Sequence, residues 1–285
     1  MSRFIPLWTK FLALAVAIVA IFAVPTWFVI SAKQDLVHAT ALEKDGTEIS
    51  KPLVNLIQRV QQHRGMTGLL LSGKVEVRPA WESKRQEITA LLKTIDALVA
   101  EHPHLSLAEH WGQMKSKWEQ LASMGDHLAP AESLTRHANV IESVFTFQRR
   151  VADASGMALD PEIATYYLMT TAFGSIPEVA EAMGSLRVAG VTVLATQKLE
   201  PEVREAMKFS FDAMTDGREL VDDNFSKVFK VSAKSQAQLS PLAYEAAAKF
   251  AALKQLTEIE ILDAQALKLN SQAYFKTASD AIDSQ

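Results

Sequence analysis

Hydrophobic positions along this chain fall into two regimes. From Phe11 to Ile30 the sequence FLALAVAIVAIFAVPTWFVI carries no charge. Beyond it, apolar residues recur in steps of three and four, the period of one helical face, and no stretch alternates with the two-residue period of a strand. The uncharged run, at 1.5 Å per residue, matches the ~30 Å of a bilayer core. Pro25 is compatible with a membrane helix, whose neighbours satisfy the freed carbonyl. Trp8 and Trp27 stand near the two ends of the run, where amphipathic rings prefer to lie. Arg3 and Lys10 precede it with no acidic residue among them, whereas Lys33 and Lys44 are mixed with Asp35, Glu43, Asp45 and Glu48. The positive-inside rule places residues 1–10 in the cytoplasm, residues 11–31 in the membrane and residues 32–285 outside. The run is long for a signal peptide, and Ile30 is a poor residue three before a cut at Ala32, so the segment reads as a retained anchor.

The remaining pattern predicts an all-α chain. Helices are expected near 33–74, 80–101, 106–127, 132–156, 161–173, 176–197, 202–230 and 241–283. Punctuation sets their ends. Arg78-Pro79, His102-Pro103 and Ala129-Pro130 break the pattern. Ser106 with Glu109 and Ser175 with Glu178 read as capping boxes, and Gly174 can end the helix before the second. Asp160-Pro161 reads as an N-cap followed by proline at the first helical position. Glu200-Pro201 and Ser240-Pro241 give two further starts. The architecture is an N-terminal membrane helix continuous with an extended antiparallel bundle, single or in tandem. The final helix is still in phase at Gln285, so a longer parent chain is expected.

Two seams contain an arginine where an aliphatic residue belongs. One runs Leu53, Ile57, Val60, Arg64, Thr67, Leu71; the other Ile176, Ala180, Met183, Arg187, Gly190, Leu194. A guanidinium inside a bundle keeps its charge and must be paired. Its partner is either a protein carboxylate or a small anion from outside. Arg64 sits in Gln61-Gln62-His63-Arg64-Gly65-Met66-Thr67-Gly68, where Gln61, His63 and Thr67 can add hydrogen bonds to an oxyanion. The two helical glycines call for close backbone approach. Arg218 stands beside Asp216, Glu219 and Asp222 and reads as an ordinary ion pair. Arg149 and Arg150 read as a solvated edge; of Tyr166 and Tyr167 one can face the core and one the surface, with core packing favoured over stacking on a ligand.

Composition narrows the function classes. A net charge of -4 gives no electrostatic case for nucleic acid. There are no cysteines, which removes disulfides, thiolate catalysis and cysteine metal sites. His102, His104 and His110 straddle a loop without the i, i+4 spacing of a helical metal site, so no metal is assigned. No phosphate loop, GxSxG or HExxH is present, and neither a cofactor nor an enzymatic site is expected.

Several short runs resemble one family. Gln62-His63-Arg64-Gly65, Leu159-Asp160-Pro161 leading into Tyr166-Tyr167-Leu168-Met169, Ile176-Pro177-Glu178 and Leu186-Arg187 resemble the all-helical periplasmic sensor region of bacterial transmembrane receptors. Such regions occur in chemotaxis receptors, sensor histidine kinases and diguanylate cyclases. The resemblance is to the nitrate- and nitrite-sensing domain and covers roughly residues 33–283. It implies an anion clamped by arginines on facing helices, here Arg64 and Arg187, a receptor that works as a homodimer in the inner membrane, and a second membrane helix with a signalling domain downstream. His63 stands where a glutamate is common in that family. The rival reading is a membrane-anchored helical scaffold without a ligand, its arginines paired internally.

Overall fold

One helix of 65 residues, α1 (Leu7–Leu71), carries the uncharged run at its start and the Arg64 seam near its end. The computed structural model describes residues 6–159 and 162–285. Arg3 and the Asp160-Pro161 cap lie outside the described residues. The first part of α1 is exposed throughout, with a mean hydropathy of 2.5 over its most apolar window. Further along, the seam closes: Leu53, Ile57, Val60, Arg64 and Thr67 are all buried. Pro25 and Pro52 both lie inside the helix without ending it.

The chain then folds back three times. α2 (Arg78–Glu101), α3 (Ala108–Met124) and α4 (Pro130–Ser155) complete a first bundle around α1. Pairings run in opposite order along α1 and α4, as Ser50 meets Gln148 and His63 meets His137, so the two are antiparallel. The shared core gathers Ile49, Leu56, Ile88, Ile95, Val144 and Phe147. Trp111 lies 5.2 Å from Phe147, and its indole donates to Asp96 of α2 at 2.6 Å. Burying such large rings is the main stabilising term.

A second core lies beyond α4. α5 (Ile163–Thr170) continues through a π-helical segment, Thr171–Ser175, into α6 (Ile176–Thr196). α7 (Pro201–Val231), α8 (Ala233–Thr257) and α9 (Ser271–Asp283) pack on it around Met183, Leu186, Met207, Met214, Leu253 and Tyr274. The expected bundle is therefore two bundles in tandem, with α6 touching α1 between them. The α5–α6 stretch is also apolar enough to span a membrane by composition, yet much of it is buried in this second core. No strand occurs among the described residues.

Several expected boundaries are corrected. Gly174 and Ser175 end nothing, because the π turn carries the chain on as helix. α3 begins after Leu107 with no side-chain cap, so Ser106 and Glu109 do not form the expected box; Ser106 instead takes a left-handed φ of 53°. Pro241 lies inside α8 and not at its start. The helix starts at Ser232, whose hydroxyl accepts from the Ser235 amide at 3.2 Å. Proline is tolerated there because Ala237, whose carbonyl it leaves unbonded, is exposed to water. The predicted helix 241–283 breaks at a π turn, Glu258–Leu262, which brings the adjacent Ile261 and Leu262 both into the core. Arg204 of α7 donates to the freed Leu262 carbonyl. The chain then loops to Asn270, which caps α9.

Candidate functional site

Arg64 reaches the junction of the two bundles because the α1 seam there faces α6. It is 6% exposed and meets Glu181 of α6 as a fork, Nη1 to Oε1 at 2.6 Å and Nη2 to Oε2 at 3.1 Å. Gln61, one turn earlier, donates to the same Oε2 at 2.9 Å. A carboxylate is a planar anion with two acceptor oxygens, and here it fills the guanidinium fork bidentately. Gly184, one turn after Glu181, makes room: a Cβ there would stand 3.2 Å from Arg64 Nη2.

Arg187, two turns along α6, is partly buried. It donates to Ser279 Oγ of α9 at 2.9 Å and lies 5.1 Å over the Phe275 ring. Among the described residues no carboxylate stands within ion-pair distance of it. Burial lowers its pKa, and the nearby Arg64 charge lowers it further, against Asp283 and Glu181, which pull it up. The two seam arginines thus lie on different helices within reach of each other's charge, and only Arg64 has a carboxylate in direct contact.

The other predicted site residues do not join them. His63 and Thr67 turn into the core of the first bundle. Thr67 accepts from the Trp81 indole at 2.8 Å and donates to the His63 carbonyl at 2.8 Å. His63 Nδ1 lies 2.9 Å from His137 Nε2, and its ring packs 5.1 Å from both Trp81 and Trp118. His137 Nδ1 faces the Ser133 carbonyl at 2.7 Å and must donate there, so its Nε2 accepts from His63. Both rings are held neutral. Burial takes His63 down to about 3 and His137 to about 4; His137 and Arg85 add to the first, and Arg64 adds to the second against the Ser133 bond. His63 points about 100° around the helix from Arg64, and Gln61 and Thr67 about 60° to opposite sides of it, so Gln61 turns toward α6 while Thr67 turns toward Trp81 of α2.

The glycines divide differently from expectation. At Gly65 and Gly68 nothing lies within 4 Å of where a Cβ would stand. Close approach occurs at Gly190, where a Cβ would fall 2.3 Å from the Tyr274 ring. Arg218 pairs with Asp222 at 2.5 and 3.2 Å, as its spacing predicts. Arg149 is an exposed edge residue bonded to Glu142. His102 and His104 gather with Asp45 of α1 at the far end of the first bundle, and His110 is not among them. Sequence reasoning missed Glu181, Ser279 and Phe275, since which helices face one another is a tertiary fact.

A family model described as nitrate and nitrite sensing matches residues 55–285. It takes in Arg64, Glu181 and Arg187, and both bundles. No curated protein and no solved structure matches the chain.

Proposed function

The chain belongs to the nitrate- and nitrite-sensing family, and from that premise we propose that residues 32–285 sense a small planar oxyanion outside the cytoplasmic membrane, held there by the first part of α1. The anion binds between Arg64 and Arg187. One observation carries this reading: Arg64 of α1 and Arg187 of α6 are close enough to feel each other's charge, and Arg187 has no carboxylate within ion-pair distance among the described residues. Nitrate and nitrite match the fork geometry that Glu181 now fills. Glu181 then acts as the internal occupant of the Arg64 fork, and an incoming anion either displaces it or joins at Arg187. Either event changes how α6 sits against α1, and a ligand shifts that equilibrium only by its differential affinity for the two arrangements. The region senses and does not catalyse.

The test is a thermal melt of the full chain in detergent, in low-salt buffer without competing oxyanions. Nitrate or nitrite is expected to raise the melting temperature, since a ligand that binds only the folded state stabilises it. Arg187→Ala is expected to abolish the rise. Glu181→Gln, which removes the competing charge, is expected to enlarge the response at low nitrate. The complete Arg64–Glu181 pair favours a second reading, a scaffold without ligand. It predicts no shift with any anion, while Arg64→Ala lowers the melt by stranding Glu181, at about 3–5 kcal/mol. A melt indifferent to every small anion would overturn the sensor site as drawn.

A further inference from the structure

Fifteen residues past Ile30, α1 meets the connection between α2 and α3. Asp45 and Glu48 lie one turn apart on α1, and His102 and His104 flank Pro103 in the connection. Folding brings these four side chains together from more than fifty residues away in sequence. Two imidazoles converge on a single oxygen: Asp45 Oδ2 lies 3.0 Å from His104 Nε2 and 3.4 Å from His102 Nδ1. All three ligand atoms lie within 4.8 Å of one another. Donors bound at about 2.0–2.1 Å around a tetrahedral ion stand about 3.3 Å apart, which the two Asp45 spacings match.

The state of His102 supplies a second, independent observation. The residue is 8% exposed, and its Nε2 is buried without a hydrogen-bond partner. Glu48 Oε2 stands 3.6 Å from that nitrogen. A histidine that gives Nδ1 to a metal carries its proton on Nε2, and a carboxylate waiting beyond that N–H is the usual outer partner of a metal-bound imidazole. Three donor atoms and an outer carboxylate thus gather at one point, with His104 on its exposed side.

We propose that Asp45, His102 and His104 form a site for a divalent transition-metal cation of the zinc class, with Glu48 as the positioning residue for His102. Two imidazoles and one carboxylate select zinc, nickel or copper over magnesium and calcium, which prefer oxygen throughout. The ion ties α1 to the α2–α3 connection about 22 Å beyond the end of the uncharged run. It therefore fixes the register of α1 against the first bundle near the membrane. The proposal does not depend on the anion reading, because the two sites lie at different ends of the first bundle.

The experiment uses the full chain in detergent, stripped with a chelator and titrated with Zn²⁺ by calorimetry at pH 7. One ion per chain is expected. Asp45→Asn and His104→Ala are each expected to weaken binding at least tenfold, and Glu48→Gln about tenfold. His38→Ala, an exposed histidine on the same helix outside the cluster, is expected to leave binding unchanged. Asp45→Asn keeps the side-chain shape and His104 is half-exposed, so both variants are expected to melt as the parent does in metal-free buffer. Co²⁺ added to the unmodified chain gives a reading that needs no variant: intense visible absorption of a four-coordinate ion is expected. Absence of saturable Zn²⁺ binding, binding untouched by Asp45→Asn and His104→Ala, or a weak six-coordinate Co²⁺ spectrum would each overturn the site.

Discussion

The His63–His137 pair shows what burial does to two rings that share one proton bridge. Their folded pKa values, about 3 and about 4, lie below the ordinary 6.5. The unfolded chain therefore binds more protons between pH 6.5 and 4, and stability falls as pH falls through that window. At pH 5 each histidine is expected to remove about 2 kcal/mol relative to pH 7. Urea unfolding at the two pH values checks this, and a flat profile would contradict the buried neutral pair. Gly190 makes a different prediction at the same scale. Tyr274 is fully buried, is bonded to Thr257 at 3.0 Å and has its hydroxyl pKa pushed up to about 12, chiefly by burial. Gly190→Ala is expected to cost about 1–3 kcal/mol by overpacking against that ring, and a denaturant melt measures it. Arg64 and Arg187 were legible in the sequence because a charge in an apolar seam breaks a local period. Glu181 was not. It lies beside the α6 seam between Ala180 and Ala182, and nothing local marks it as the partner of a helix more than a hundred residues away.

Helices were legible wherever the apolar period ran unbroken between strong punctuation, as in α2, α4 and α7. The errors came from elements whose ends depend on packing. Pro241 looked like a start because proline favours the first turn, but an exposed carbonyl at Ala237 lets it sit within α8. The break between α8 and α9 was hidden because a π turn keeps apolar residues in sequence while shifting their face. Asn270 was the available signal: its Oδ1 accepts from the Gln272 and Ala273 amides at 2.8 and 3.2 Å. Asn270→Ala is expected to lower stability by about 1 kcal/mol, read by thermal melt, while Asn270→Asp is expected to restore most of it. The cap also fixes the start of the helix that supplies Ser279 and Phe275 to Arg187.

At the scale of the molecule, the absence of native cysteine permits a clean test of topology. Lys74→Cys, in the turn after α1, is expected to react with a membrane-impermeant maleimide in intact spheroplasts. Lys10→Cys is expected to react only after the membrane is opened. The reverse pattern would invert the assignment of residues 32–285 to the outside. The tandem arrangement was only half legible: the helical pattern left one bundle or two open, and the separation of the cores rests on which faces α5 and α6 present to their neighbours. One property of α1 reaches further. It runs as a single helix from the uncharged segment to Arg64, thirty-four residues beyond Ile30, or about 51 Å. Because Pro52 does not end the helix, the azimuth of Arg64 is tied to that of the uncharged segment by the residue count between them. Seven residues inserted between positions 33 and 44 would advance the helix by about 700° and return it to within about 20° of its present setting, whereas five would leave it about 140° out. On the proposed reading, what passes along α1 is phase as well as position, and the spacing is constrained by turns of helix more than by distance.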